Sequence, residues 1–373
     1  MFEEGERMRQ DGKGPVYDFS LGNPTLEPPR RFSERLSELV CNSEPGLHRY
    51  MPNVGYPSTR RAVAAYAAGE FGVAVKEGNV IMSVGAGGGL NVVLKSILDP
   101  GDEVIVLTPY FAEYGFYIDN HNGVMVKVPT DERFEIDHKA IEKAITPRTR
   151  ALIITTPNNP TGVVYSRESL GRLSALLKEK QEELGTFIYL LSDEPYRKIV
   201  YEKTSCHGAL SIYENTIMVT SHSKDLGLPG ARIGWIVIHP SAADADRLFS
   251  AMAFATRTLG FVNAPSLMQK AIEACLEESV DVSWYRRKRD RLYEFLTGAG
   301  YDVVKPGGAF YIFPKAPGGD DIAFCQVMAK RRVLIVPGSG FGTPGYFRIA
   351  YCTEDEIIEA ALPAFAEAIK EYR

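Results

Sequence analysis

At 373 residues, with 45% apolar and 24% charged residues, the chain has an ordinary globular composition and the length for a large core split over two domains. Disordered and fibrous classes are thereby excluded. A net charge of −5 and a pI near 5.8 argue against nucleic acid or an anionic membrane as partner, since either needs a basic surface.

The N-terminal MFEEGERMRQDGKG is polar and helix-like without an apolar signal core, and no apolar run approaches the roughly 20 residues of a membrane span. A cytoplasmic location is the expectation. Val16 to Leu21 reads as a short strand ended by the turn residues Gly22, Asn23 and Pro24. Arg49 to Tyr66 combines Tyr50, a Pro and Gly loop and a helix start, with Ser58 the expected N-cap. Asn79 to Val84 is a strand, followed by Gly85, Ala86, Gly87, Gly88 and Gly89 and then a helix from Leu90 to Leu98. A strand, a Gly-rich turn and a helix N-terminus form a generic phosphate cradle, although close packing explains the same glycines.

Glu103 to Thr108 is the next strand, closed by Pro109, Tyr110 and Phe111, where an aromatic ring either stacks on a flat ligand or joins the core. Gly123 to Val128 and Arg150 to Thr155 supply further strands, with a helix from Asp137 to Ile145 between them. TTPNNPTG, Thr155 to Gly162, fixes a tight turn and leaves open whether Pro157 or Pro160 follows a cis bond. A helix from Arg167 to Leu184 leads to a strand from Phe187 to Ser192 and then to DEPY. Asp193, a carboxylate ending a buried strand, needs a cation partner or serves as a turn cap.

The segment TIMVTSHSKDLGLPGARIGW, Thr216 to Trp235, carries the most chemistry. A buried strand breaks into Ser221, His222, Ser223 and Lys224, passes a Gly and Pro turn, and reaches Arg232 before the strand Ile233 to Ile238. Ser221, Ser223 and Arg232 suit an oxyanion. A lysine at a strand end is cheap to desolvate, and its free amine then attacks a carbonyl. Together they point to a phosphorylated carbonyl cofactor, for which pyridoxal phosphate is the usual choice.

Helices follow near Ser241 to Ala255, Pro265 to Glu278 and Trp284 to Leu296, the last two expected to join into a long passage between domains. Strands at Asp302 to Lys305, Ala309 to Phe313 and Tyr346 to Tyr351 alternate with helices at Asp321 to Arg332 and Thr353 to Glu371, an α+β lobe. Arg348 in FRIAY, one charge in an apolar alternation, requires an anion, either a substrate carboxylate or a structural partner. The five scattered cysteines read as reduced thiols, and no metal-ligand spacing occurs.

In this order and over nearly the whole chain, the motifs resemble the class I aminotransferases, the aspartate aminotransferase superfamily of fold type I pyridoxal phosphate-dependent enzymes. Their Ser-x-Ser-Lys, Gly-rich turn, Arg and Gly match SHSKDLGLPGARIG. The resemblance implies an α/β fold with a large cofactor-binding domain at 42–280 and a smaller α+β domain from residues 1–41 and 281–373. Lys224 would be the Schiff-base lysine and proton shuttle, and Asp193 the partner of the ring nitrogen. Tyr196 and Asn159 would share the ring's phenolic oxygen, and Phe111 would stack on the ring. Ala86, Gly87, Ser221, Ser223 and Arg232 would hold the phosphate, helped by Tyr50 of the neighbouring subunit in a homodimer with shared active sites. Gly22, Asn159 and Arg348 would bind the substrate, Arg348 through its α-carboxylate.

The implied activity is ping-pong transfer of an L-amino acid's amino group to a 2-oxo acid, 2-oxoglutarate by default. A pyridoxal phosphate β-lyase (C–S lyase) of the same fold and a non-catalytic cofactor-binding sensor are the alternatives. The family usually has a longer N-terminal arm that reaches the partner subunit, and the late start of this chain puts that contact in doubt. His222 stands where relatives commonly carry an apolar or aromatic residue.

Overall fold

The computed structural model describes residues 2–10, 12, 14–42, 45–201 and 206–372. Helix α1 (Phe2–Gln10), strand β1 (Tyr17–Asp18), α2 (Arg30–Cys41) and α3 (Pro57–Phe71) precede the central sheet. Its strands are β2 (Val80–Ser83), β3 (Glu103–Thr108), β4 (Val124–Pro129), β5 (Thr149–Thr155), β6 (Tyr189–Asp193), β7 (Thr216–Ser221) and β8 (Gly234–Ile238). They run in the order β2-β8-β7-β6-β5-β3-β4, and only β8 is antiparallel to its neighbours. The connections carry α4 (Gly85–Ile97), α5 (Tyr114–Asp119), α6 (His138–Ala144), α7 (Arg167–Leu184) and the short α8 (His222–Asp225).

Both faces of the sheet are covered except at the edge strand β4, which is why β3 and β5 to β8 read as largely apolar runs. Ala151 and Ile153 of β5 face α4 and α9 (Ala245–Thr258), whereas Leu152 and Ile154 face α6 and α7. The reversal of β8 matters for the site. Ser221 pairs with Gly234, so the start of β8 lies on the same sheet edge as the carboxyl end of β7, and Arg232 arrives beside Ser221. A Cβ at Gly234 would stand 2.4 Å from the Thr220 carbonyl oxygen and 3.1 Å from Gly85, so only glycine lets these segments converge.

After α9 come α10 (Ser266–Ile272), α11 (Val282–Ala299), β9 (Tyr311–Ile312), α12 (Asp321–Lys330), β10 (Val333–Leu334), β11 (Val336–Pro337), β12 (Phe347–Ala350) and α13 (Asp355–Ala368). β11, β12 and β9 form an antiparallel sheet over a core that includes Leu292, Phe324, Phe347 and Phe365. β1 pairs with β10 and Phe19 enters that core, so residues from both ends of the chain meet in this lobe. Phe32 and Leu39 of α2 belong instead to the core around α3, α10, β2 and β8.

Several local expectations are corrected. The glycine run is not a turn ahead of the helix but its first turns, because only Gly85, at φ +68°, leaves the helical basin. Ser58 does not cap α3. Pro57 opens that helix, needing no N–H partner there, and Ser58 Oγ donates to Glu273 while accepting from Lys270. α10 and α11 do not join, since Asp281 caps a fresh helix by accepting from Ser283 N–H. Asp302 to Lys305 forms no strand, and both end residues turn outward to ion pairs with Lys315 and Asp290. Pro157 and Pro160 both follow cis bonds.

Candidate active site

Turns at the carboxyl ends of β3, β5, β6 and β7, the start of α4 and the residues just ahead of β8 converge on one cleft of about 600 Å³. Ser20 to Gly22 and the terminal lobe, through Tyr311, Val336, Phe341 and Arg348, close its other side. Convergence at a sheet's carboxyl edge is where open α/β folds place ligands.

Lys224 follows directly from β7 on α8, and its Nζ donates to the Gly22 carbonyl oxygen at 2.6 Å. Desolvation pulls its ammonium down to about 8, and the cations of Arg348 and Arg232 add to the effect. A lysine in that range is part free amine near neutral pH. Asp193 closes β6 and is 5% exposed. The Tyr114 hydroxyl donates to its Oδ2 at 2.6 Å, while Oδ1 is buried with no partner. Burial pushes this carboxyl up to about 7, and Tyr114 only partly offsets it. A buried carboxylate oxygen left alone is costly, so the position is suited to a cationic N–H.

Arg348, on β12, donates to Asn159 Oδ1 at 3.0 Å and to the Ser20 carbonyl oxygen at 2.6 Å. Its guanidinium lies 4.7 Å from both the Tyr311 and Phe341 ring centroids, and its Nε is buried without a partner. A planar fork held this firmly, with donor capacity left, suits a carboxylate. The Tyr196 and Tyr311 hydroxyls are 2.8 Å apart. Burial raises the Tyr196 phenol well above its ordinary value and pushes Tyr311 up to about 12.

At the anion end stand Ser221, Ser223 and Arg232, with Ala86 and Gly87 in the first turn of α4, where backbone N–H groups lack helical partners. A Cβ at Gly85 would come within 2.8 Å of Arg232 Nη2, so the glycine clears room for the guanidinium. Phe111 lines the cleft edge-on to Tyr114, with ring centroids 5.5 Å apart. The residues present fit a group with a phosphate at one end, a basic ring nitrogen at the other and a carbonyl near Lys224, which is the outline of pyridoxal phosphate.

Gly22, Ala86, Gly87, Phe111, Asn159, Asp193, Tyr196, Ser221, Ser223, Lys224, Arg232 and Arg348 all line this cleft. Tyr50 does not. It is 90% exposed, in a separate groove with Met51, Asn53 and Arg257. His222 lies behind the site, where its Nε2 accepts from Trp235 Nε1 and its Nδ1 sits 3.1 Å from Asp225 Oδ2. It ties α8 to β8. Sequence reasoning missed Tyr114 and Tyr311. The first stands three residues after Phe111, a helical spacing, and the second is hidden in the aromatic run FYIF.

Residues 15–364 match the family described as Aminotransferase class I and II. The aspartate/prephenate aminotransferase of Thermus thermophilus is 33% identical over 364 residues, covering 94% of this chain and 90% of that protein. Aromatic-amino-acid aminotransferase 2 of Thermococcus litoralis is 31% identical over 370 residues, covering 95% and 92%. Among solved structures, an amino transferase from Eubacterium rectale superposes with a TM-score of 0.97 at 41% identity, covering 100% of this chain and 94% of that one. The aspartate aminotransferase from Thermus thermophilus with maleate gives 0.88 at 31% identity, covering 98% and 95%.

Proposed function

This chain belongs to the aminotransferase class I and II family and is a transaminase, moving an amino group from an L-amino acid to a 2-oxo acid, and we propose that pyridoxal 5'-phosphate is its cofactor, held in this cleft. The observation that carries the proposal is the pairing, in one cleft, of the desolvated Lys224 amine with the orphaned, buried Asp193 carboxylate. When bound, pyridoxal phosphate supplies a carbonyl that condenses with amines and a ring that takes up the electron pair left on the substrate α-carbon.

The protein's own groups divide the remaining work. Ser221, Ser223, Arg232 and the N–H groups of Ala86 and Gly87 would hold the phosphate, and Phe111 would flank the ring. Asp193 Oδ1, buried and unpartnered, would accept from the ring N–H, which would offset the cost of burying the carboxylate. Tyr196, paired with Tyr311, and Asn159 address the ring oxygen. Arg348 grips the α-carboxylate and thereby fixes which bond faces Lys224. Nζ of Lys224 would take the proton from the substrate α-carbon and hold it for return, the Gly22 carbonyl oxygen orienting the amine. Donor and acceptor use the same site in turn, so ping-pong kinetics follow.

The working unit in this reading is a homodimer in which Tyr50 of one subunit reaches the phosphate of the other. The large domain spans 42–280 with α2 attached, and the smaller lobe is drawn from the two ends. Among the described residues no helix is long and apolar enough to cross a membrane. The partners are small-molecule amino and 2-oxo acids, and the place of action is the cytoplasm.

The test is the visible spectrum of the purified protein with pyridoxal phosphate as single amino acids are added. The band of lysine-bound cofactor should disappear with a donor and return with a 2-oxo acid, and Lys224→Ala should never form it. Pyruvate and ammonia released without an acceptor would replace this reading with the β-lyase.

A further inference from the structure

Three cations line the cleft, Lys224, Arg232 and Arg348. In the transaminase function proposed for this cleft, they serve the reacting carbon, the phosphate and the α-carboxylate. No cation among the lining residues is left for a second carboxylate. The remaining rim is Leu21, 52% exposed, with Tyr117, Val336, Gly340 and Phe341. One further charged group stands there, and it is acidic. Glu113 occupies the N-cap of α5, exposed, and its carboxylate makes no cap hydrogen bond to the helix. Burial is the main cause that raises the neighbouring Tyr117 phenol, and the Glu113 carboxylate adds to it.

Resting on that function, we infer that Glu113 is a specificity-determining residue that repels a side-chain carboxylate, turning the enzyme from dicarboxylates toward donors and 2-oxo acids with apolar or aromatic side chains. The apolar rim supplies the attraction and the acid supplies the rejection. Discrimination by an unmatched like charge is effective where the competing substrate must bring its own charge into a partly dry cleft. The preferred acceptor in this inference is a 2-oxo acid whose side chain is neutral.

The holoenzyme and its Glu113→Gln and Glu113→Lys variants decide it. Single-turnover kcat/KM would be measured for L-aspartate and L-glutamate against L-leucine and L-phenylalanine. Binding of the unreactive acids maleate and isovalerate, followed by calorimetry, gives a readout free of chemistry. The wild type should favour the neutral donors. Glu113→Gln should raise the dicarboxylate-to-neutral ratio of kcat/KM, and of affinity for maleate over isovalerate, about tenfold, as expected for one charge at a partly screened site. Glu113→Lys should move both ratios further. A wild type that prefers dicarboxylates, or ratios unmoved by either variant, would overturn the role of Glu113 while leaving the transaminase site standing. Failure of every donor to react would sink the site assignment, and the role of Glu113 with it.

Discussion

Asp193 and Lys224 carry opposite charges in water, and the same cleft pushes both toward neutrality, Asp193 up to about 7 and Lys224 down to about 8. For Asp193 the folded state holds its proton to higher pH than the unfolded chain, whose carboxyl titrates near 3.8. Between those values the folded protein binds more protons, so the cofactor-free form loses stability as pH rises through this window. A shift of this size bounds the effect at about 4 kcal/mol, since each unit is worth about 1.4 kcal/mol. Cofactor-free Asp193→Asn should therefore be more stable than the wild type by roughly 1–4 kcal/mol at pH 8 in urea unfolding, with the difference gone by pH 4. With cofactor the order should reverse in affinity, because the carboxylate then has its cation. Equal stability of the two cofactor-free forms at pH 8 would mean that Asp193 is not desolvated as described. Lys224, Asp193 and Arg348 were legible in the sequence because a charged residue ending or interrupting an apolar strand needs a reason. Tyr311 was not, because its reason is a hydroxyl 115 residues away on Tyr196, and an aromatic in a strand otherwise reads as core.

At the scale of elements, helix α4 shows how glycine serves close packing. A Cβ at Gly89 would lie 2.7 Å from Val219 Cγ1 and 3.3 Å from Ser83 Oγ, so the helix can ride against β7 only without one. Gly69, inside α3, has nothing within 4 Å of the same position. Gly69→Ala should stabilise the protein by about 0.5–1 kcal/mol through helix propensity. Gly89→Val should destabilise it by about 2–4 kcal/mol through overpacking and helix-disfavouring branching. Thermal or urea unfolding of the pair checks both signs, and a neutral Gly89→Val would show that α4 has room to withdraw. Elements are also where sequence is most and least informative. β3 and α7 have the bounds their patterns predict, because β3 is buried throughout but for its last residue and α7 buries one face at helical spacing, so each pattern reports its own packing. The glycine run reads as a turn because close approach to β7 is a tertiary fact. The two-residue strands of the terminal lobe are defined by partners far along the chain, as β1 is by β10, and carry too few residues for any period to emerge.

For the whole molecule, the decisive residue is one that the cleft does not use. Tyr50 is 90% exposed, and Arg257, in the same groove, stands one turn from the 68% exposed Phe254 on α9. A phenol and a phenyl this bare suit a surface that a second subunit covers. If each site takes Lys224 from one subunit and Tyr50 from the other, a closed two-fold dimer makes the two defects complementary. In a mixed dimer of Lys224→Ala and Tyr50→Ala chains, one site receives both lesions and the other receives neither. Random pairing puts about half of the subunits in mixed dimers, each with one of its two sites whole, so activity should recover to about a quarter of the wild type. Each variant dimer alone should be far below that level, Lys224→Ala for want of the amine and Tyr50→Ala through weakened hold on the cofactor phosphate. The measurement is donor turnover after the two purified chains are unfolded together and refolded at equal concentration, with each refolded alone as control. Activity equal to the mean of the two controls would confine Tyr50 to its own subunit's surface and leave the phosphate to Ser221, Ser223, Arg232 and the start of α4.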